Sequence, residues 1–337
     1  MTKKIIYIDN FLTKHGYTPT IGATIANLLS NEGFTVVKTS SVKNKLLRLV
    51  DMLYTLFKNR KNSVALITVY SGSAFYFAYA CAWLCRLLHI EYIPCLHGGN
   101  LPQRIKNSPK LCEKLFRNSK INVAVSGYLE NAVKQNTWNV TVIPNPINIQ
   151  NYPFTERVST NLKIFWLRSF HEIYNPLLAV ELIYELKKKY SFVSLTMVGP
   201  DKDGSLEVCK KRVAELNLQD NIVFTGLLSL QEWVALSTSH DLFLNTTNFD
   251  NLPVSLIEAM ALGFPVITTN AGGIPYLIEQ NINGILVPTN NLQTMLDAVE
   301  VLYQNPSITN QLSIQARKTA EQYDWGNIKL QWKKILS

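Results

Sequence analysis

The sequence predicts an α/β protein built from two parallel-sheet domains, and three observations carry that prediction. Short β-rich runs alternate with helix-length segments along the whole chain, the order of βαβ units. Several runs, Ile5-Ile6-Tyr7-Ile8 among them, are continuously apolar, as parallel strands buried on both faces are. The 337 residues are enough for two domains. Two domains of open parallel α/β sheet follow, and ligands of such sheets bind in crevices outside the strand C-termini.

The expected strands cover 4–8, 64–70, 92–96, 121–125, 163–167, 194–198, 222–224, 242–244, 266–268 and 285–287. The first follows Met1-Thr2-Lys3-Lys4, and its apolar run is too short for the core of a signal peptide. After it, Leu46, Leu49, Val50, Leu53, Leu56 and Phe57 recur at helical spacing, flanked by Lys43, Lys45, Arg48, Lys58, Arg60 and Lys61. The plainer reading packs this stripe on the domain core with the cations in solvent. The other lays it on anionic lipid headgroups. Residues 74–85 are the longest apolar stretch, but 12 residues fall short of the ~20 that span a membrane, so a core helix is expected. A second basic cluster holds Arg104, Lys106, Lys110, Lys114, Arg117 and Lys120. The run Val142-Ile143-Pro144-Asn145-Pro146-Ile147-Asn148 excludes continuous helix and marks a boundary. The expected division is 1–150, 151–320 and a closing segment over 321–337.

Composition narrows the function classes. A 47% hydrophobic and 17% charged chain describes a packed globular protein rather than a disordered one. The five cysteines are odd in number, scattered and free of CxxC spacing, which argues against a disulfide framework or a zinc site and fits a reducing cytoplasm. Net charge is +9, yet no recognisable nucleic-acid module accompanies it, so no nucleic-acid partner is expected. No GxGxxG follows the first strand and no GxSxG occurs, which argues against a dinucleotide oxidoreductase and a serine hydrolase.

The most informative run is Asp250-Asn251-Leu252-Pro253-Val254-Ser255-Leu256-Ile257-Glu258. It sets two carboxylates eight positions apart around a helix start near Asn251, with proline just inside it. Backbone N–H groups there suit anionic phosphates, and a carboxylate about a turn further on suits paired hydroxyls. The plain alternative makes Asp250 a helix cap and Glu258 an ordinary helix residue. This run resembles the acidic motif, Glu, seven residues, Glu, of retaining GT-B glycosyltransferases of family four (group 1). The resemblance is strongest over 143–288. It implies that Glu258 binds the nucleotide ribose and that Asp250, where the family most often has Glu, contacts a donor-sugar hydroxyl. It also implies the GT-B fold, two Rossmann-like domains with parallel sheets facing across a cleft, with the closing helix crossing back to the first domain.

Other positions follow from the same resemblance. Arg168, after the strand at 163–167, would clamp the diphosphate. The usual glycine before it is Leu167, and the usual partner lysine is missing, with Ile173-Tyr174 before Asn175. His97-Gly98-Gly99-Asn100 would face the sugar and acceptor from the first domain. Gly16 and Gly226 lie on loops expected beside the donor phosphate and base, and Gly272-Gly273 matches a further family loop. Asp201-Lys202-Asp203 has metal-binding spacing, but ordinary turn residues explain it as well. The expected catalytic set is His97, Arg168 and Asp250. The donor set is Gly16, Gly226, Asn251, Leu252, Pro253, Val254, Ser255 and Glu258, with no metal ligand and no cofactor beyond a UDP- or GDP-linked substrate. The implied function is retaining sugar transfer from a nucleotide sugar to a saccharide or lipid-linked hydroxyl, in polysaccharide or glycolipid synthesis, on the cytoplasmic side of an anionic membrane. A sugar-nucleotide epimerase of the same architecture and a catalytically defective binding relative are the alternatives.

Overall fold

The computed structural model describes residues 3–15 and 19–337, so the expected site residue Gly16 lies outside the described residues. The chain divides into two compact units, Met1–Pro146 with Trp325–Ser337, and Ile147–Asp324.

The first unit carries a six-stranded parallel sheet of β1 (Lys4–Ile8), β2 (Val36–Thr39), β3 (Ser63–Val69), β4 (Glu91–Leu96), β5 (Asn122–Ala124) and β6 (Val140–Val142), in the order β2-β1-β3-β4-β5-β6. β2 and β6 are absent from the expected list. Both are short sheet edges and only half-buried, so neither shows the continuous apolar run that marks a central strand. The helices are α1 (Ile21–Asn31), α2 (Lys45–Lys58), α3 (Phe75–Leu87), α4 (Leu101–Asn107), α5 (Pro109–Phe116) and α6 (Gly127–Lys134). One core joins α1, β1, β3 and β4 to the C-terminal helix Trp325–Leu336 through Ile25, Leu29, Leu66, Ile328 and Trp332. Glu32, just past α1, accepts from Lys329 and Lys333 of that helix at 2.9 and 2.6 Å.

α2 corrects one expectation. Its buried side is Arg48, Met52 and Leu56, while Leu46, Val50 and Phe57 of the predicted core stripe are exposed. Arg48 is no solvated flank residue. Its guanidinium donates to Val42 O and Lys43 O at 2.7 Å and to Asn10 Oδ1 at 2.8 Å, tying the start of α2 to the loop after β1. α3 is a core helix on one side only, since Tyr76, Trp83 and Leu87 are exposed. Among the described residues, no helix is long and apolar enough to cross a membrane.

The second unit holds β7 (Lys163–Leu167), β8 (Ser194–Val198), β9 (Ile222–Gly226), β10 (Leu242–Asn245), β11 (Val266–Thr269) and β12 (Ile285–Val287), all parallel, in the order β12-β11-β10-β7-β8-β9. Its helices are α7 (Pro176–Lys187), α8 (Ser205–Glu215), α9 (Leu230–Ser237), α10 (Val254–Ala261), α11 (Leu292–Gln304) and α12 (Pro306–Glu321). Trp166, Phe170, Leu182, Met197, Leu244 and Val299 form the centre of its core.

The C-terminal end of α10 is closed by two guanidinium groups. Arg317 donates to Ala261 O at 2.7 Å and to Tyr152 O at 2.8 Å. Arg157, 5% exposed, donates to Leu262 O and, at 2.7 Å, to Thr155 O, while its guanidinium lies 4.0 Å from the centre of the Phe264 ring. Cations at a helix C-terminus offset its dipole and satisfy carbonyls with no partner in the helix. Arg157→Ala is therefore expected to cost about 2–4 kcal/mol in urea unfolding, because it removes charge-assisted hydrogen bonds to Leu262 O and Thr155 O together with a buried, ring-stacked cation.

Candidate functional site

The second sheet reverses between β7 and β10: the chain runs outward to β8 and β9, then returns to the other side of β7. Ligands of open α/β sheets bind outside the strand C-termini at such a reversal. Arg168 is the first residue after β7, and Asp250 lies on the loop from β10 to α10. There the two form an ion pair, Arg168 Nη2 to Asp250 Oδ2, with side chains 13% and 17% exposed. Arg168 Nη1 reaches Ser255 Oγ at 3.4 Å, and the guanidinium carbon lies 4.0 Å from the Tyr174 ring centroid. Tyr174 stands in the segment where a lysine is usual. It contributes a ring face that orients Arg168, not a second charge. Arg168 Nε is buried with no hydrogen-bond partner among the described residues.

α10 begins later than expected. Pro253 is its N-cap and Val254 its first residue, so the helix start near Asn251 shifts along the chain by the length of a tight turn. Asp250 Oδ1 accepts the Asn251 N–H at 2.7 Å and so shapes that turn rather than capping the helix. Among the described residues no side chain caps the helix, which leaves the first-turn N–H groups at Val254 and Ser255 open to an anion. Leu252 and Pro253 are buried beneath them.

Two glycines permit this geometry. Gly272 has φ +57°, and a Cβ there would fall 1.9 Å from Asp250 O, which instead accepts the Gly273 N–H at 2.9 Å. Gly199 has φ +149°, and its Cβ would fall 1.8 Å from Arg168 O. Gly199 N–H donates to the carbonyl of Gly226 at 2.9 Å, which places Gly226 at the neighbouring strand end.

Glu258 lies about one turn into α10 and accepts the Tyr152 hydroxyl at 2.7 Å. The residue is half-buried, but protein surrounds its carboxyl, and that burial raises its pKa; the Tyr152 hydrogen bond and Arg168 pull it back down. Sequence reasoning missed Tyr152, which lies 106 positions away on the segment leading into the unit and carries no motif. Asp201 and Asp203 are turn residues: Asp201 Oδ1 accepts Gly204 N–H at 3.1 Å, and Asp203 accepts Ser205 N–H at 3.1 Å and Glu172 N–H at 2.8 Å. Among the described residues, no three His, Cys, Asp or Glu side chains gather as metal ligands would.

In the first unit, His97, Gly98, Gly99 and Asn100 follow β4, and His97 N–H and Gly98 N–H both donate to Val69 O at 3.1 Å. Both ring nitrogens of His97 are buried with no partner among the described residues, and burial lowers its pKa to about 4. It is a neutral imidazole with two vacant hydrogen-bonding positions, not a titrating group near neutral pH. Asp9, at the end of β1, passed unnoticed in the sequence. It is 3% exposed and accepts from Thr20 Oγ1 at 2.6 Å, Asn10 N–H at 2.7 Å and Tyr70 OH at 3.1 Å, and burial raises its pKa. It sits where the first sheet reverses between β1 and β3.

Residues 150–319 match the family model described as glycosyl transferases group 1. The chain is 30% identical over 152 residues to an uncharacterized glycosyltransferase of Haemophilus influenzae, covering 45% of this chain and 42% of that one. It is 24% identical over 253 residues to the amylovoran biosynthesis glycosyltransferase AmsK of Erwinia amylovora, covering 70% of this chain and 61% of that one. It therefore spans less than two thirds of either relative. Among solved structures, Anabaena HepE in complex with UDP and glucose superposes with a TM-score of 0.77 at 16% identity, over 99% of both chains. Sucrose-phosphate synthase of Thermosynechococcus elongatus gives 0.81 at 13% identity, over 99% of this chain and 98% of that one. These likenesses show a shared fold of the GT-B class. Since the family match takes in half of its 337 residues, the chain belongs to the group 1 glycosyl transferases.

Proposed function

We propose that this protein transfers a sugar from a nucleotide sugar to an acceptor hydroxyl with retention of configuration. The observation that supports it best is the grouping of Arg168, Asp250 and Ser255 at the uncapped start of α10, with Glu258 about a turn further on. HepE, of the same fold, has been crystallised with UDP and with UDP-glucose, which supports a UDP-linked donor.

In this reading Glu258 accepts the ribose hydroxyls. The diphosphate lies against Arg168 and the first N–H groups of α10. As the bond from the anomeric carbon to the diphosphate oxygen breaks, negative charge grows on that oxygen, and these donors are already aimed at it. The acceptor oxygen bonds to the anomeric carbon on the face the diphosphate leaves, and its proton passes to the departing phosphate oxygen. Asp250 turns to a sugar hydroxyl once phosphate takes its place on Arg168. His97 offers a neutral nitrogen to the sugar, with Gly98, Gly99 and Asn100 on the acceptor side, and Gly226 is a donor-side residue. The cation and the helix start supply the electrostatic work without a metal. The acceptor is a saccharide or lipid-linked saccharide in surface polysaccharide synthesis, met at the cytoplasmic side of a membrane; the similarity to AmsK, a glycosyltransferase of amylovoran biosynthesis, supports that class.

One observation favours a second reading, a binding relative without turnover: the cation at the reversal is already neutralised by Asp250. Calorimetric titration with UDP, GDP and their glucose and mannose conjugates, free of metal, tests both. One nucleotide should bind, and Glu258→Ala should abolish that binding. Products from the bound sugar nucleotide alone then separate the readings: slow hydrolysis supports a transferase, an altered sugar on intact nucleotide an epimerase, and no change the binding relative. Absence of any nucleotide binding at millimolar concentration sinks the proposal.

A further inference from the structure

The outer side of α2 and α3 is apolar and uncovered. α2 turns out Leu46, Leu47, Val50, Tyr54 and Phe57, with Leu46 77% and Val50 62% exposed. α3 packs beside it and turns out Tyr76, Trp83 and Leu87. Met52 of α2 and Ala78 of α3 line one small cavity with Ile8 of β1, so both helices cover the same sheet face and their outer sides look the same way. A soluble surface rarely carries an apolar patch of this kind without a partner.

The rim of the patch says what covers it. Lys43, Lys45, Lys58, Arg60 and Lys61 are all exposed around α2. On the far side of α3, Lys110, Lys114 and Arg117 are exposed on or just past α5, which Arg86 joins to α3 by a hydrogen bond to Lys114 O. The acids of α2, α3 and α5 are Asp51, which accepts the Thr39 hydroxyl at 3.1 Å, and Glu113, paired with Arg117 at 2.9 Å. The long cations lie along the apolar surface: Arg60 stacks 4.4 Å from the Phe57 ring centroid, and Lys58 Nζ is 6.0 Å from that of Tyr54. A second copy of the chain would set cation against cation across a two-fold interface. Apolar side chains at the centre, tyrosine and tryptophan beside them and lysines reaching past them match the depth profile of an anionic bilayer surface.

We propose that this protein docks on anionic lipid bilayers through the outer faces of α2 and α3, with the lysine and arginine rim on the headgroups. The face belongs to the first unit and does not involve Arg168, Asp250 or Glu258. The test contains no nucleotide sugar, so its failure leaves the transfer reading untouched. The full chain is sedimented with vesicles of phosphatidylcholine alone, and with roughly one third phosphatidylglycerol, at low and high salt. Binding is expected only to the anionic vesicles, weakening as salt rises, with a blue shift in tryptophan emission that is lost in Trp83→Phe. The double variant Val50→Asp/Phe57→Asp changes exposed positions only, so it folds as the parent does by circular dichroism. It should partition at least roughly tenfold more weakly, since two apolar side chains no longer enter the bilayer. No sedimentation at low salt overturns the proposal, and so does sedimentation that the double variant leaves unchanged. A concentration-dependent dimer abolished by the same variant, with no vesicle binding, would assign the face to a second copy instead.

Discussion

Asp250→Asn is expected to tighten UDP binding by roughly tenfold while lowering sugar transfer by about a hundredfold. Both effects follow from the Arg168–Asp250 pair. Asp250 neutralises the cation that, in the proposed reading, the diphosphate needs. An incoming phosphate must displace a carboxylate from a group only 13% exposed, where charge interactions are poorly screened. Asparagine keeps the shape and removes the competing charge. Tyr174 continues to hold the guanidinium over its ring, and Ser255 stays within reach. Transfer falls because the freed carboxylate no longer meets a sugar hydroxyl in the transition state. Arg168→Ala separates this from simple damage, since it should weaken UDP binding and transfer together, by two to three orders of magnitude in kcat/KM at about the cost of one preorganised donor. Calorimetry with UDP and steady-state kinetics with the donor check both variants. Weaker UDP binding in Asp250→Asn would mean that the carboxylate holds Arg168 in place for phosphate rather than competing with it.

The parts of this site that the sequence displays are those with local signatures. Arg168 follows an apolar strand, and the run from Asp250 to Glu258 lies on one strand–loop–helix unit, so spacing alone brings its members close. The pairing of Arg168 with Asp250 spans 82 positions and depends on the strand order, in which β10 returns to the side of β7. Nothing periodic in the chain encodes that adjacency. Tyr152 and Asp9 are likewise single polar residues whose roles exist only once distant strands and helices meet. The central strands are legible because burial on both faces demands unbroken apolar runs. β2 and β6 are half-exposed edges and are free of that demand. α2 shows a different limit. Helical spacing reports that one side is apolar but not which way that side points. Here the buried side takes Met52 and Leu56 and admits Arg48 through three hydrogen bonds, while much of the apolar stripe faces outward.

Glu258→Gln is expected to weaken UDP binding by roughly thirtyfold, the loss of charge-assisted hydrogen bonds to the ribose. The pH dependence gives the sharper test. Burial raises the Glu258 pKa, and the hydrogen bond from Tyr152 opposes that rise. In the proposed reading the ionised carboxylate is the form that accepts ribose hydroxyls, so UDP affinity should be complete above this raised pKa and fall as pH drops through it. Tyr152→Phe removes the opposing hydrogen bond. The loss of affinity should then begin at a higher pH, with little change on the alkaline side. Glu258→Gln should show neither loss, because it has no proton to gain. Folding carries the opposite sign. The folded state binds this proton more tightly than the unfolded chain does, so ionising Glu258 costs stability as pH rises through the same range. Glu258→Gln should therefore unfold in urea at a concentration no lower than the parent at pH 8, even as it loses the nucleotide. A Tyr152→Phe profile that overlays the parent would make the tyrosine a packing residue. A glutamine variant that both binds UDP normally and titrates like the parent would remove Glu258 from the donor site.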